Sequence, residues 1–407
     1  MPSSKSVAIV GQGYVGLPLA YALTKVGYEV LGVDTHVTRV NQISRGESPI
    51  EDISNSQITE MLSSKRYRVT TGYEQLSEVE ISVICVPTPV DAENNPDLSA
   101  LKSASTAIAR FAKPGSLIIN ESTSFPGTVR LVIGEIFAKE RPGEEFDFAC
   151  APERVDPGNK HWGHSNTPRL VGALTSKAMS RAYDFYSEIC EEVVKVSSPE
   201  VAEFAKLLEN SFRQVNIALI TEISKLTRIS DVNIHEVIEA ASTKPYGFMK
   251  FVPSIGVGGH CIPVDPLYLS WYAKHKGQSI EIVELAQKIN DTQPTNVVNR
   301  VEELLENKVG RILVVGMGYK SQTSDLRESP SVEVYEILKD RGHNVKWRDS
   351  LIKEFDSTTS FDSISGINLV VYAQINSSFD LKEVRNSEIK VLDCTGSLPD
   401  LPNVFQI

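Results

Sequence analysis

The sequence predicts an α/β protein with two Rossmann-like, doubly wound domains, joined by a long central helix and a helical middle domain. An apolar run followed by a Gly-x-Gly turn occurs near the N-terminus, as Ser6–Val10 and then Gly11-Gln-Gly13. The same pattern returns at Arg311–Val315 and Gly316-Met-Gly318. A helical pattern of about 28 residues lies between them. We predict three domains, which span residues 1–197, 198–300 and 301–407.

Composition narrows the class of protein. The chain has 407 residues, 41% of them hydrophobic and 23% charged, which is typical of a globular protein. A net charge of −11 argues against nucleic acid or an anionic membrane as a partner. Five cysteines without paired spacing indicate reduced thiols, no metal site and a cytoplasmic location. A strand so near the N-terminus leaves no room for a signal peptide, and no apolar run reaches the length of a membrane span.

The N-terminal domain carries a dinucleotide-binding fingerprint. Gly11 permits a tight turn, Gly13 lets the backbone approach a pyrophosphate, and Gly16 lets the first helix pack against the strand. The next strand ends at Asp34, whose carboxylate would accept hydrogen bonds from a ribose 2′-hydroxyl and repel a 2′-phosphate. The pattern predicts NAD rather than NADP. Arg39 could favour a phosphate instead, although a solvated charge is the simpler interpretation.

Three further strands of this domain are each followed by polar residues. Thr88, Thr123 and Glu153 follow the apolar runs that begin at residues 81, 116 and 146. In an open parallel sheet the carboxyl ends of the strands line the ligand crevice, so these residues are candidates for the site. Ordinary turn or cap residues are an equally good interpretation of each one alone.

The middle of the chain places a thiol on a glycine-rich loop, Gly256-Val-Gly-Gly-His-Cys261-Ile-Pro-Val-Asp265. If a helix begins near Pro263, Cys261 and Asp265 lie about one helical turn apart. The N-terminus of that helix and His260 would lower the thiol pKa and so favour the nucleophilic thiolate. An inert buried cysteine is the alternative.

The long helix is predicted to begin after Ser198, its N-cap, and to run to about Thr227. Lys206, Asn210 and Arg213 form a polar stripe on it, which we expect to face a cleft. Glu203 and Glu209 are assigned to a solvated face, and the far half of the helix predicts a homodimer.

The last third repeats the strand and Gly-x-Gly turn but lacks the third glycine. Its second strand ends near Asp349, as the first domain's ends at Asp34. Lys320 and Arg327, in the insertion that follows the turn, are suited to hold a diphosphate. This pattern predicts a second nucleotide-type site.

Six motifs in order resemble the UDP-glucose/GDP-mannose dehydrogenase family over nearly the whole chain. They are Gly11-Gln-Gly-Tyr-Val-Gly16, Val86-Pro-Thr-Pro89, Pro152-Glu153, Lys206-x-x-x-Asn210, Gly258-Gly-His-Cys261-x-x-x-Asp265 and Asp325-x-Arg327-Glu-Ser-Pro330. The resemblance implies oxidation of the C6 alcohol of a sugar nucleotide to a carboxylate, with two NAD⁺ consumed per substrate.

The resemblance also implies roles. Cys261 would form a thiohemiacetal and then a thioester, Lys206 and Asn210 would stabilise the oxyanion, and Asp265 would act as a base with Thr123 through a water. Glu153 would move a proton in thioester hydrolysis. The implied cofactor contacts are Gly11, Gly13, Tyr14, Val15, Gly16, Asp34, Arg39, Pro87, Thr88 and Thr123. The implied substrate contacts are Glu153, Arg154, Val155, Lys206, Asn210, Arg213, Phe251, Gly258, Lys320 and Arg327.

The sugar is predicted from two segments. Pro152–Asn159 and Thr243–Met249 resemble the UDP-N-acetylglucosamine 6-dehydrogenase branch. UDP-N-acetylmannosamine and UDP-glucose are the alternative substrates. A two-electron hydroxyacid dehydrogenase and a non-catalytic sensor of NAD or sugar nucleotide are more remote, because neither needs Cys261 with its Lys–Asn partners.

Overall fold

The computed structural model describes residues 5–155, 159, 161–385 and 387–407. They form two compact units, of which unit 1 ends at Leu208 and unit 2 begins at Glu209. The predicted division into three domains, with boundaries at 197/198 and 300/301, stays a prediction. Asp156, Pro157 and Gly158, which belong to the segment Pro152–Asn159 used to predict the sugar, lie outside the described residues.

Unit 1 alternates strands and helices. Its elements in chain order are β1 Ser6–Val10, α1 Gly16–Lys25, β2 Glu29–Val33, α2 Val37–Ser44, α3 Asn55–Ser63, β3 Tyr67–Thr70, β4 Ile81–Ile84, α4 Ser99–Phe111, β5 Leu117–Asn120, α5 Gly134–Glu140, β6 Asp147–Cys150, β7 Arg169–Ala173, α6 Ser176–Ser187, β8 Val193–Lys195 and the start of α7 Pro199–Ile229.

The strands of unit 1 form one sheet in the order β3-β2-β1-β4-β5-β6-β7-β8. All neighbours are parallel except β6 and β7. After β1 the chain moves outward to β2 and β3, and β4 returns to the other side of β1. The strand order therefore reverses between β1 and β4, and a nucleotide binds at such a switch point in Rossmann folds. The predicted α/β class is confirmed.

Unit 2 continues α7 and adds α8 Ile234–Ser242, α9 Asp265–His275, α10 Glu281–Asp291, α11 Gln293–Leu304, β9 Arg311–Val315, α12 Pro330–Asp340, β10 Asn344–Arg348, β11 Glu354–Phe355, β12 Thr358–Thr359, β13 Leu369–Tyr372, β14 Lys390–Asp393 and β15 Val404–Gln406. Its main sheet is parallel in the order β10-β9-β13-β14-β15. The order again reverses beside the first strand, between β9 and β13. Apolar side chains from both faces of the β9 and β13 strands fill the core of this sheet.

Helix α7 has 31 residues, begins at Pro199 as expected and ends two residues beyond Thr227. Among the helices of the described residues, none is long and apolar enough to cross a membrane. The prediction that Glu203 lies on a solvated face is wrong, because its side chain is only 2% exposed. Glu203 accepts hydrogen bonds from the backbone N–H groups of Gly127 at 2.6 Å and Val129 at 3.0 Å. These amides open the helical segment before α5, so the buried carboxylate serves as its N-terminal cap.

Candidate active site

The glycine turn after β1 has the shape that a pyrophosphate requires. Gly11 has a φ of +98°, and a Cβ on it would lie 2.3 Å from the carbonyl oxygen of Cys85. A Cβ on Gly16 would lie 1.9 Å from the Gly11 carbonyl oxygen, so α1 packs directly on the turn. Nothing lies within 4 Å of the Cβ position of Gly13, which leaves the outer side of the turn open. Tyr14 and Val15 lead into α1, whose N-terminal amides suit a diphosphate.

Asp34, at the end of β2, is buried and accepts three hydrogen bonds. The donors are the backbone N–H groups of Gln12 and His36 and the guanidinium of Arg39, each at 2.8 Å. Arg39 thus forms an ion pair with Asp34, and its side chain is 37% exposed. The position of the Asp34 carboxylate at the end of β2 fits the predicted ribose contact. Arg39 contacts the same carboxylate and so lies beside the predicted ribose position.

The loops after β4, β5 and β6 leave the same edge of the sheet, as the sequence predicted. Pro87 and Thr88 follow β4, Thr123 follows β5, and Glu153 follows β6. Ser122 joins two of these loops by donating its hydroxyl hydrogen to the Val86 carbonyl oxygen at 2.8 Å. The residues that follow these strands thus lie along the carboxyl edge of the sheet, with Pro87 and Thr88 at the switch point.

Glu153 is held by a dense set of donors. Its side chain is 12% exposed and accepts hydrogen bonds from the backbone N–H groups of Arg154 and Val155, both at 2.6 Å. The guanidinium of Arg169 donates to it at 2.8 Å, and the ring of His164 lies 3.4 Å away. Burial would raise the pKa of Glu153, but Arg169, His164 and the Val155 amide hold it at about 2.

A second carboxylate, Glu121, lies behind Glu153 and was not predicted from the sequence. It is 1% exposed, accepts a hydrogen bond from the Tyr186 hydroxyl at 2.5 Å and lies 3.5 Å from Arg169. Burial and the negative charge of Glu153 raise the pKa of Glu121 to about 7, in spite of the opposing effect of the Arg169 guanidinium. The only sign of a buried carboxylate partner in the sequence was Arg169, a charged residue at the start of the apolar run Arg169–Ala173.

Unit 2 holds the predicted nucleophile. Cys261 is the exposed cysteine among the described residues, while Cys150, Cys190 and Cys394 are buried. The backbone N–H of Asp265 donates to the Cys261 carbonyl oxygen at 2.9 Å, so the thiol residue precedes α9 by one turn. Helix α9 begins at Asp265, slightly later than Pro263. A helix N-terminus favours the thiolate, which is the nucleophilic form.

The carboxylate of Asp265 is 2% exposed, and the side-chain amide of Asn210 donates to it at 2.6 Å. Lys206 lies one turn earlier on α7 and is also buried. Arg213 is exposed, so the third member of the predicted stripe does not share that burial. Phe251 packs its half-buried ring against Phe212 with the ring centres 5.9 Å apart.

The second glycine turn, after β9, is followed by the segment that holds Lys320 and Arg327. Arg327 donates two hydrogen bonds to the Asp325 carboxylate, at 2.8 and 2.6 Å. Asp349, at the end of β10, accepts from the backbone N–H groups of Met317 at 2.9 Å and Leu351 at 2.8 Å. The two hydrogen bonds to Asp325 fix the plane of the guanidinium.

A glycine turn at the switch point of each sheet is typical of a protein that binds two nucleotides. Three domain profiles of one family match the chain: the NAD binding domain over residues 5–190, the central domain over 200–292 and the UDP binding domain over 313–389. The chain belongs to the UDP-glucose/GDP-mannose dehydrogenase family. It is an NAD-dependent nucleotide-sugar dehydrogenase, and the predicted family and cofactor are confirmed.

Three relatives of the chain are informative about the sugar nucleotide. A UDP-N-acetyl-D-mannosamine dehydrogenase of Methanocaldococcus jannaschii is 31% identical over 95% of this chain and 90% of its own length. A UDP-N-acetyl-D-glucosamine 6-dehydrogenase of Pseudomonas aeruginosa is 32% identical over 86% of this chain and 84% of its own length. The solved UDP-D-ManNAc dehydrogenase of Pyrococcus horikoshii superposes with a TM-score of 0.89 at 30% identity and covers 99% of each chain.

The Glu121 carboxyl predicts a pH dependence of stability. Its folded pKa, about 7, lies above its ordinary value of 4.5. The stabilisation that results is present below pH 4.5 and is lost as the pH rises through 7. Glu121→Gln is neutral at all these pH values, so the stability of the wild type relative to this variant should fall by about 1–3 kcal/mol between pH 5 and pH 7.5.

Thermal unfolding of both proteins across this range measures the difference. Glu135→Gln, which changes an exposed carboxyl, is the matched control and should follow the wild type. Parallel curves for the wild type and Glu121→Gln would contradict the raised pKa.

Proposed function

We propose that the enzyme oxidises C6 of a UDP-N-acetylhexosamine from alcohol to carboxylate. The observation that carries this proposal is the exposed thiol of Cys261 at the N-terminus of α9, one turn from the buried carboxylate of Asp265. A two-electron dehydrogenase has no use for such a nucleophile. The overall reaction converts R–CH₂OH, two NAD⁺ and water into R–COO⁻, two NADH and three protons.

The residues of this chain divide the work as follows. When bound, NAD⁺ would supply the oxidising chemistry of both steps, as an acceptor of hydride from C6. The Cys261 thiolate adds to the aldehyde carbon, and the thiohemiacetal so formed keeps the intermediate on the enzyme until its oxidation to a thioester. Lys206 and Asn210 stabilise the negative oxygen, and Asp265, oriented by the Asn210 amide, takes a proton. Thr123 and Glu153 order the water that cleaves the thioester.

The identity of the sugar rests on two kinds of support. The relatives are mostly UDP-N-acetyl-D-mannosamine dehydrogenases, which favours UDP-ManNAc as the substrate. The motifs at Pro152–Asn159 and Thr243–Met249 favour UDP-GlcNAc, and one relative with that activity is comparably similar. The preference for UDP-GlcNAc that the sequence suggested is not confirmed, and UDP-ManNAc is now the first candidate.

Turnover of separate sugar nucleotides tests the proposal. The purified enzyme is given NAD⁺ with UDP-ManNAc, UDP-GlcNAc, UDP-glucose or GDP-mannose, and NADH and the acid product are quantified. We expect about two NADH per acid and the highest kcat/KM with one of the two N-acetylhexosamines. One NADH per substrate with release of an aldehyde would refute the four-electron reaction.

Replacement of the nucleophile tests the covalent step. Cys261→Ser should lower kcat for acid formation by about 10³-fold or more, because a hydroxyl is a much weaker nucleophile than a thiolate at neutral pH. Cys394→Ala, which removes a buried thiol from the same unit, is the control and should retain activity. Wild-type turnover by Cys261→Ser would exclude a covalent intermediate.

We also propose that the enzyme is a homodimer. Large apolar side chains on α7 and α10 are exposed, among them Leu226, Ile229, Ile282 and Leu285, and Ile229 is 81% exposed. So many exposed large apolar side chains on two helices of one unit favour a protein interface there. Light scattering should give twice the chain mass of 44.8 kDa, and Ile229→Asp should shift the mass toward one chain. A single-chain mass for the wild type at micromolar concentration would contradict the dimer.

A further inference from the structure

The glycines that precede Cys261 pack against the segment Tyr319–Pro330. A Cβ on Gly258 would lie 2.5 Å from the Glu328 carbonyl oxygen, and a Cβ on Gly259 would lie 2.6 Å from the ring of Tyr319. Real side chains do not make such approaches, so both positions exclude every residue but glycine without a shift of the segment. The cysteine loop therefore takes its shape from the segment that carries Lys320 and Arg327.

The backbone of Tyr319 is held by hydrogen bonds, and its ring packs against the cysteine loop. Its backbone N–H donates to the Asp325 carbonyl oxygen at 3.0 Å, and the side chain of Gln374 donates to the Tyr319 carbonyl oxygen at 3.3 Å. The Ser329 hydroxyl donates to the Met317 carbonyl oxygen at 2.7 Å and closes the segment on itself. A ring on an anchored backbone constrains the conformation of whatever packs on it.

The loop and the segment also interact by charge. His260, next to Cys261, has its pKa lowered by burial and by the Arg327 guanidinium, against the opposing effect of Asp325 and Glu328. The imidazole is therefore held neutral beside the ion pair of Arg327 with Asp325. Packing at Gly259 and charge at His260 both connect the nucleophile loop to one segment.

We propose that Tyr319 is a positioning residue for Cys261. Its ring holds Gly259 at a φ of +79°, two residues before the thiol, and so fixes the direction in which the loop presents Cys261. Tyr319 is followed directly by Lys320, which was predicted to hold the substrate diphosphate. A diphosphate bound to Lys320 therefore affects the position of the Cys261 thiol through the adjacent residue, Tyr319. The inference rests on the proposed function in taking Cys261 as the nucleophile.

Two substitutions of Tyr319 separate positioning from packing. Tyr319→Ala removes the ring, and Tyr319→Phe keeps it. We expect Tyr319→Ala to lower kcat about 10- to 100-fold with KM for the UDP-sugar changed less than about threefold, because misplacement of a reacting group affects the chemical step. Tyr319→Phe should restore kcat to within about threefold of the wild type.

A measurement on the thiol does not depend on turnover. The rate at which iodoacetamide alkylates Cys261 is followed by peptide mass spectrometry, with and without UDP. In the wild type, UDP should change this rate, and in Tyr319→Ala the effect of UDP should be lost although UDP still binds by calorimetry. Tyr319→Phe should behave as the wild type.

A glycine pair tests the contact directly. Gly259→Ala introduces both backbone strain and a clash with Tyr319. Gly277→Ala introduces strain alone, because Gly277 has a φ of +71° and nothing lies within 4 Å of its Cβ position. We expect Gly259→Ala to lower kcat, Gly277→Ala to leave it unchanged, and the double variant Gly259→Ala/Tyr319→Ala to lose less than the sum of the single losses.

The outcomes distinguish this inference from the proposed function. A Tyr319→Ala variant with wild-type kcat, a loss in KM alone, or an unchanged effect of UDP on alkylation would overturn the role of Tyr319. A wild type that yields one NADH per substrate, with the alkylation effects intact, would overturn the four-electron reaction and leave the positioning of the thiol standing.

Discussion

The close approach of two main-chain segments at the end of the first strand is the constraint on which each unit depends. Gly11 lies where a Cβ would meet the Cys85 carbonyl, and Gly316 lies where a Cβ would meet Gln374. Each glycine N–H also donates to the end of the neighbouring strand, at 2.7 Å to Val33 and 2.9 Å to Arg348. Because these glycines have no side chain, the ends of β1 and β4 lie close together, and so do the ends of β9 and β13. The open edge beside them is where a nucleotide fits.

The two units use the same turn but prepare different sites after it. In unit 1, α1 begins at Gly16, so helix amides follow the turn directly and can bind a diphosphate. In unit 2, α12 begins only at Pro330, and an irregular segment occupies the place of the first helical turns. The prediction that Lys320 holds a diphosphate fits this difference, because side chains would there replace the helix amides. Because this segment is irregular rather than helical, it can pack against the cysteine loop.

Local patterns predicted the elements well, since period, turn chemistry and glycine spacing are properties of short segments. Strands β1, β2, β4, β5, β6, β9 and β10 and the start of α7 at Pro199 were predicted to within a few residues, whereas the remaining strands of both sheets were not predicted. Glu203 was misplaced and Glu121 and Arg169 were missed for one reason. The burial of a charge depends on partners distant in sequence, such as the Gly127 amide for Glu203. The helical spacing of Glu203 with Lys206 and Asn210 was visible, but only the folded chain shows that this side is inward.

The charge balance around Arg169 bears on what Glu153 can do. Two carboxylates share one buried guanidinium, and the one with more donors keeps its charge: Glu153 has two backbone amides as well as Arg169, whereas Glu121 has the Tyr186 hydroxyl. Glu121 therefore takes the proton near neutral pH. A carboxylate with a pKa of about 2 is a weak base, because proton transfer to it is unfavourable unless the donor is very acidic. Glu153 is thus better suited to orient a water by accepting a hydrogen bond than to remove its proton.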